Sequence, residues 1–152
     1  MKSVVFCSSQ RFKHELNAFV KELRSLAKER KMHITALEPN FEGDAEHLFS
    51  LSEKERLADS NYRATVAGRV YDHLFRKVKV ADVCFIFNKN GYIGVNTAGE
   101  LFAAAMAGKF IYALENKILM GAHPDGLYEE PSANNLIHEV INSPEDLLDR
   151  LA

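Results

Sequence analysis

Hydrophobic positions along this chain come in two rhythms. Residues 3–8 (SVVFCS) form a short β-branched and aromatic run, and residues 32–37 form a second; both read as strands. Between them Phe12, Leu16, Phe19, Val20, Leu23, Leu26 and Ala27 recur at three- and four-residue spacing, which puts one apolar stripe on a helix. The chain therefore opens as strand, helix, strand. From residue 42 to 79 no strand pattern occurs, and Val66, Val70, Leu74 and Val78 form an i, i+4 ladder flanked by Ala67 and Tyr71, predicting a helix over at least 62–77. The more polar stretch before it, residues 41–60, predicts a short helix and a mobile loop of the sort that closes over a ligand.

Residues 82–88 (DVCFIFN) and 109–115 (KFIYALE) are continuously apolar, as suits strands covered on both faces. An alanine-rich helix lies between them. Gly121, Pro124, Gly126 and Pro131 predict an irregular loop over 116–135. Residues 136–141 (LIHEVI) then read as a strand, and Ser143, Pro144, Glu145 and Asp146 supply a cap, a first-turn proline and two carboxylates at the start of a last helix. Five strands alternating with helices predict a single domain over 1–152. Its fold class is α/β, doubly wound and flavodoxin-like (Rossmann-like): a three-layer sandwich with a five-stranded parallel sheet in the order 2-1-3-4-5.

Composition narrows the function classes. A chain of 152 residues buries a core without disulfide or metal staples. The net charge of −2, with 19 Lys and Arg spread along the chain, supplies no basic field for nucleic acid. Cys7 and Cys84 lie inside predicted strands and read as reduced, structural residues. No run of about 18 apolar residues occurs, and the opening apolar run is too short for a secretory signal, so a cytoplasmic location off the membrane is expected. His14, His33, His47, His123 and His138 show no metal-ligand spacing, and no G-x-G-x-x-G follows the first strand; no metal and no cofactor are expected.

In an open parallel sheet the ligand crevice lies beyond the carboxyl ends of the strands, where the chain switches direction. Two loops reach it. In the first, Ser8 and Ser9 offer hydroxyls and Arg11 a fixed cation beside a helix start, a set that suits phosphate or carboxylate; Ser9 as a cap and Arg11 as a solvated surface residue account for them equally. In the second, Gly91 and Gly94 allow close approach, and Asn96 or Thr97 is placed to cap the alanine-rich helix. Glu100 is the single acid between residues 87 and 109. Thr97 and Glu100 have capping-box spacing, so the carboxylate can serve the helix start; at the crevice it can instead serve as nucleophile or base.

The run GYIGVNTAGELFAAAMAGK, with DVCFIFN before it and FIYALE after it, resembles the nucleoside 2-deoxyribosyltransferase-like superfamily. VVFCSSQRF and YDHLFRKVKVADV are similar to the first strand and turn, and to the helix before strand three, of its small members. The resemblance implies that Glu100 attacks C1′ of the sugar, expels the base and holds a glycosyl intermediate that passes to water or to a second base. It implies Ser8, Ser9 and Arg11 near the sugar or its 5′-phosphate, and Asn88, Gly91, Tyr92, Gly94 and Asn96 on the sugar side. It also implies a homodimer or larger assembly, with residues 62–75 and 103–107 as contacts. One departure stands out: the transferases carry an aspartate in the loop before the glutamate, whereas residues 88–99 here contain no acid. Asp72, Asp44 and His73 are substitute proton donors, although Asp72 and His73 also read as a partly exposed pair at a helix end. Glycosidic chemistry on a nucleoside or nucleotide is thus one expectation. A binding module of the same fold with little or no turnover is another, and a protein whose small-residue helix mainly packs against a second subunit is a third.

Overall fold

The computed structural model describes residues 2–41 and 51–152. Five strands form one parallel sheet: β1 (Lys2–Cys7), β2 (Ile34–Leu37), β3 (Val83–Ile86), β4 (Phe110–Ala113) and β7 (Glu139–Val140), in the order β2-β1-β3-β4-β7. Counting only these strands, the order is the expected 2-1-3-4-5. β1 is central, pairing Val4 with Ala36 on one side and with Val83 on the other. Its residues Val4 to Cys7 are wholly buried, because alternate side chains face two separate cores.

One core lies under α1 (Lys13–Glu29) and α6 (Pro144–Leu151), where Phe6, Phe19 and Phe85 meet with ring centroids 5.3 to 6.1 Å apart. The other lies under α4 (Val95–Met106) and holds Val5, Cys7, Cys84, Ile86, Leu101 and Ala104. Small residues on α4 let its backbone settle close to the sheet. The helix expected over 62–77 is α3 (Ser60–Asp72), capped by the Asp59 carboxylate accepting from the Tyr62 N–H, and it widens into a π-turn over His73–Val78. Before it, α2 (Glu53–Leu57) is the short helix expected, closed by a Ser52–Glu55 capping box. The mobile loop expected there falls largely on residues 42–50, outside the described residues, as does Asp44.

Two expectations are corrected. Residues 116–135 are not irregular: β5 (Leu119–Ala122) and β6 (Gly126–Glu129) form an antiparallel hairpin, followed by α5 (Pro131–Asn134). Its glycines mark the pairing instead of breaking it. Gly121 has φ +112°, and a Cβ there would stand 2.5 Å from the Gly126 carbonyl oxygen. The hairpin is pinned by the Ile93 N–H donating to the Leu119 carbonyl and by wholly buried Ile118. The strand read at 136–141 shrinks to Glu139–Val140.

At the start of α6, Ser143 accepts from the Asp146 N–H at 3.1 Å, with Pro144 in the first turn as expected. Ser143→Ala is expected to lower stability by about 1 kcal/mol, read as a shift in the urea midpoint at unchanged slope.

Candidate active site

β1 feeds α1 on one face of the sheet and β3 feeds α4 on the other, so the crevice between them opens at the carboxyl ends of β1 and β3. Cys7 ends β1, and Glu100 reaches it from α4. The helix begins at Val95 with Gly94 as its N-cap and no side-chain cap, so neither Asn96 nor Thr97 caps it. That removes the capping role considered for Glu100. The residue sits in the second turn with only 7 % of its surface exposed, turned into the protein and away from its own helix end.

His73 lies against it, with Nε2 3.8 Å from Glu100 Oε2 and 3.5 Å from Cys7 Sγ. Burial pushes the Glu100 carboxyl up to about 7, an effect eased by the Cys7 thiol and the positive charge of Lys77. The same burial pushes His73 down to about 4, with Lys77 adding to the fall while the Phe6 carbonyl and Asp72 oppose it. Cys7 is raised well above an ordinary thiol, chiefly by burial and then by Cys84, whose Sγ is 3.8 Å away. Near neutral pH the site therefore holds a neutral imidazole, a protonated thiol and a carboxyl close to its midpoint.

Asp72 and His73 part company. Asp72 is partly exposed and pairs with Arg76 at 3.3 Å, as a helix-end residue should. His73 is 3 % exposed and faces the crevice side of α4, against the expectation of a partly exposed pair. The two are neighbours at a helix end and so project about 100° apart around the axis, and the π-turn begins at His73. Two neighbours were missed from sequence, Cys7 and Lys77. Lys77 stands one helical turn beyond His73 and donates to the Glu38 carbonyl at 2.6 Å, which holds its charge near the pair.

The remaining expected residues divide between lining and building the crevice. Ser8 is 7 % exposed and donates to the Ser9 carbonyl at 3.0 Å, while the Ser9 hydroxyl accepts from the Arg11 N–H and closes a 3₁₀ turn. Arg11 is exposed, with its guanidinium 5.9 Å from the centre of the Tyr92 ring. Tyr92 packs edge-on against Phe12 and His123, tying the two crevice loops to the turn of the β5–β6 hairpin. Asn96 is exposed on the first turn of α4.

Asn88 and Gly91 are committed to shaping the second loop. Asn88 is wholly buried; its amide donates to the carbonyls of Glu115 and Lys117 and accepts from the N–H groups of Leu114 and Glu115. It has no group left for a sugar, contrary to its expected place on the sugar side. Gly91 has φ +84°, and a Cβ there would press on Leu119 and the Lys117 carbonyl at 3.1 to 3.2 Å. Two surface concavities, one lined by Glu129, Pro131, Asn134 and Asn135 and one lined by Arg24, Ala27, Lys28 and residues 31–34, lie elsewhere.

Three solved structures share this architecture over nearly the whole chain. A conserved protein from Enterococcus faecalis V583 superposes with TM-score 0.57 at 20% identity, covering 98% of this chain and 96% of its own. The 2-deoxyribosyltransferase of the psychrotolerant bacterium Bacillus psychrosaccharolyticus gives TM-score 0.52 at 18% identity, over 97% of this chain and 90% of that one. The enzyme of the same kind from Leishmania mexicana gives 0.52 at 17%, over 99% and 97%. Identities this low establish the shared α/β fold. No protein-family model and no curated protein matches the sequence.

Proposed function

We propose that this protein cleaves or transfers the N-glycosidic bond of a (deoxy)nucleoside or nucleoside 5′-monophosphate, with Glu100 as nucleophile. The observation that carries the reading is a buried carboxylate at the switch point of the sheet, the one buried acid among the described residues, at the crevice where ligands of such sheets bind. Two solved proteins of this fold are 2-deoxyribosyltransferases, which makes a nucleoside the first class of ligand to test.

In this scheme the ionised carboxylate attacks C1′ as the C–N bond breaks, and the bonding pair leaves with the base nitrogen, which takes a proton from water. The ester to Glu100 is then opened by water or by a second base. Burial helps, because a carboxylate stripped of water meets an oxocarbenium-like carbon without first shedding a hydration shell. Lys77 steadies the ionised form. In this reading Ser8, Ser9 and Arg11 take the sugar or a 5′-phosphate, with Tyr92, Gly94 and Asn96 contributing from the opposite loop. No metal or cofactor enters the scheme. The second reading, a nucleotide-binding module with little turnover, is favoured by the acid-free loop from Asn88 to Gly99 and by a His73 too weakly basic to be charged at neutral pH.

Chromatography of free base released from a panel of nucleosides, 2′-deoxynucleosides and their 5′-monophosphates tests the proposal. Release from one class supports it; no release from any member, with binding retained, transfers the assignment to the binding module.

The same reading includes a second copy of the chain covering the α3–α4 side. Tyr71 of α3, Phe75 of the π-turn and Met106 of α4 are 66%, 49% and 89% exposed, and the first two rings pack tilted on each other with centroids 4.6 Å apart. Sedimentation equilibrium is expected to give twice the 17.1 kDa chain mass or more, and Met106→Glu with Phe75→Glu is expected to return it to the monomer.

A further inference from the structure

Three donor atoms from three separate elements converge at the carboxyl end of β1. Cys7 Sγ, His73 Nε2 and a Glu100 carboxylate oxygen lie within 4.8 Å of one another, and all three residues are buried. The thiol and the carboxylate approach the same ring nitrogen of His73. A nucleophile–histidine–acid relay needs its partners on opposite ring nitrogens, whereas here both approach Nε2. Cys7 is also wholly buried, where a thiol is inert as a nucleophile. The arrangement is a convergence of ligands.

Its dimensions approach those of a tetrahedral zinc site. Bonds of about 2.3 Å to sulfur and roughly 2.0 Å to imidazole or carboxylate place tetrahedral donors roughly 3.5 Å apart for sulfur and nitrogen, and roughly 3.4 Å for nitrogen and oxygen. The observed separations are 3.5 Å from Sγ to Nε2 and 3.8 Å from Nε2 to Oε2, with the Sγ-to-carboxylate edge within 4.8 Å, so the first needs no change, the second a small closing movement, and the third closes as the Glu100 side chain swings toward the thiol. A mixed sulfur, nitrogen and oxygen set suits Zn²⁺ and excludes calcium or magnesium, which take oxygen. We propose that Cys7, His73 and Glu100 form a binding site for a thiophilic divalent cation, Zn²⁺ foremost, with three protein ligands and the fourth position open.

The charges balance. Binding releases the thiol proton of Cys7 to solvent, and that of Glu100 where it is protonated, leaving a thiolate and a carboxylate against the cation and nearby Lys77; no electron moves. Cys84 Sγ stands 3.8 Å from Cys7 Sγ but outside the group of three, so the ion does not depend on it. Sequence spacing gives no hint of the site, because its ligands stand at positions 7, 73 and 100. Under the glycosidic reading the ion would hold Glu100 and inhibit turnover, but the site itself stands without that reading.

Chelator-treated protein, refolded with and without Co²⁺ so that entry to a buried site is not limiting, is the sample for the test. One equivalent of Co²⁺ is expected to produce a thiolate-to-cobalt charge-transfer band that Zn²⁺ bleaches. Cys7→Ser is expected to abolish the band and Cys84→Ser to keep it. His73→Gln and Glu100→Gln are expected to weaken binding by more than about tenfold, the loss that even an outer-shell change produces. Absence of the band in the native protein at saturating Co²⁺ overturns the proposal, as does a band that survives Cys7→Ser or disappears with Cys84→Ser. Base release measured on the metal-free protein reports separately on the glycosidic reading.

Discussion

Glu100→Gln is expected to lower base release from the best substrate by about four orders of magnitude in kcat, with KM changed far less. The amide keeps the shape and most polar contacts of the carboxyl but cannot form the ester to C1′, so the loss falls on the chemical step. Native kcat/KM on metal-free protein is expected to rise with pH through about 7 and then level, because the attacking form is the ionised one and burial holds the carboxyl there. Single-turnover assays with the two proteins, at several pH values, check both points. A variant that retains a tenth of the native rate removes Glu100 from the role of nucleophile. A native rate that falls as pH rises through 7 makes it a proton donor.

The same substitution is expected to make the metal-free protein harder to unfold at pH 8. A carboxyl at about 7 in the folded chain and 4.5 in the unfolded one keeps a proton that the unfolded chain has released between those values. Stability therefore falls as pH rises from about 4.5 to about 7, by about 3 kcal/mol in all, and stays lost above. Burying an amide in its place costs about 1 kcal/mol in imperfect hydrogen bonding, so the net gain at pH 8 is about 2 kcal/mol, or roughly 4–8 °C in Tm for a chain of this length.

His73 has the opposite sign. It is held at about 4 when folded against 6.5 when unfolded, so it contributes stability that is lost as pH falls from about 6.5 to about 4. In the native protein the two slopes largely cancel between about pH 4.5 and 6.5. Glu100→Gln is expected to unmask a rising slope there, and His73→Gln a falling one. Denaturant titrations from pH 4 to 8 on the three proteins read the slopes directly. Equal slopes in all three would mean that neither group is held away from its ordinary range.

How far the site was legible depended on where each residue's partners lie along the chain. Ser143, Pro144 and Asp146 act within one helical turn, and the cap they form was readable from four letters. The strand runs at residues 3–8, 82–88 and 109–115 were readable because burial on both faces demands continuous apolar side chains. Asp72 and His73 could not be told apart in sequence, since which of two neighbouring helical positions faces Cys7 and Glu100 and which pairs with Arg76 in partial exposure is set by how the helix packs. Asn88 likewise reads as a loop residue facing a ligand until its four hydrogen bonds to residues 114–117 are seen.

By itself the sequence determined the alternation of strands and helices, the order of the parallel sheet and the isolation of Glu100 among small residues. These follow from local periodicity, from chain connectivity and from the rule that places a crevice at the switch point. Only the tertiary structure decided that α4 starts at Val95 with Gly94 as its N-cap, so that Glu100 is too deep to cap it, and that residues 119–129 pair as a hairpin. It alone brought Cys7 and His73, 66 positions apart, within 3.5 Å of each other and both against Glu100. The reason is physical: side chains that meet through packing of β1, α4 and the π-turn are joined by no local backbone pattern, and the desolvation that sets their protonation exists only once those elements have closed over them.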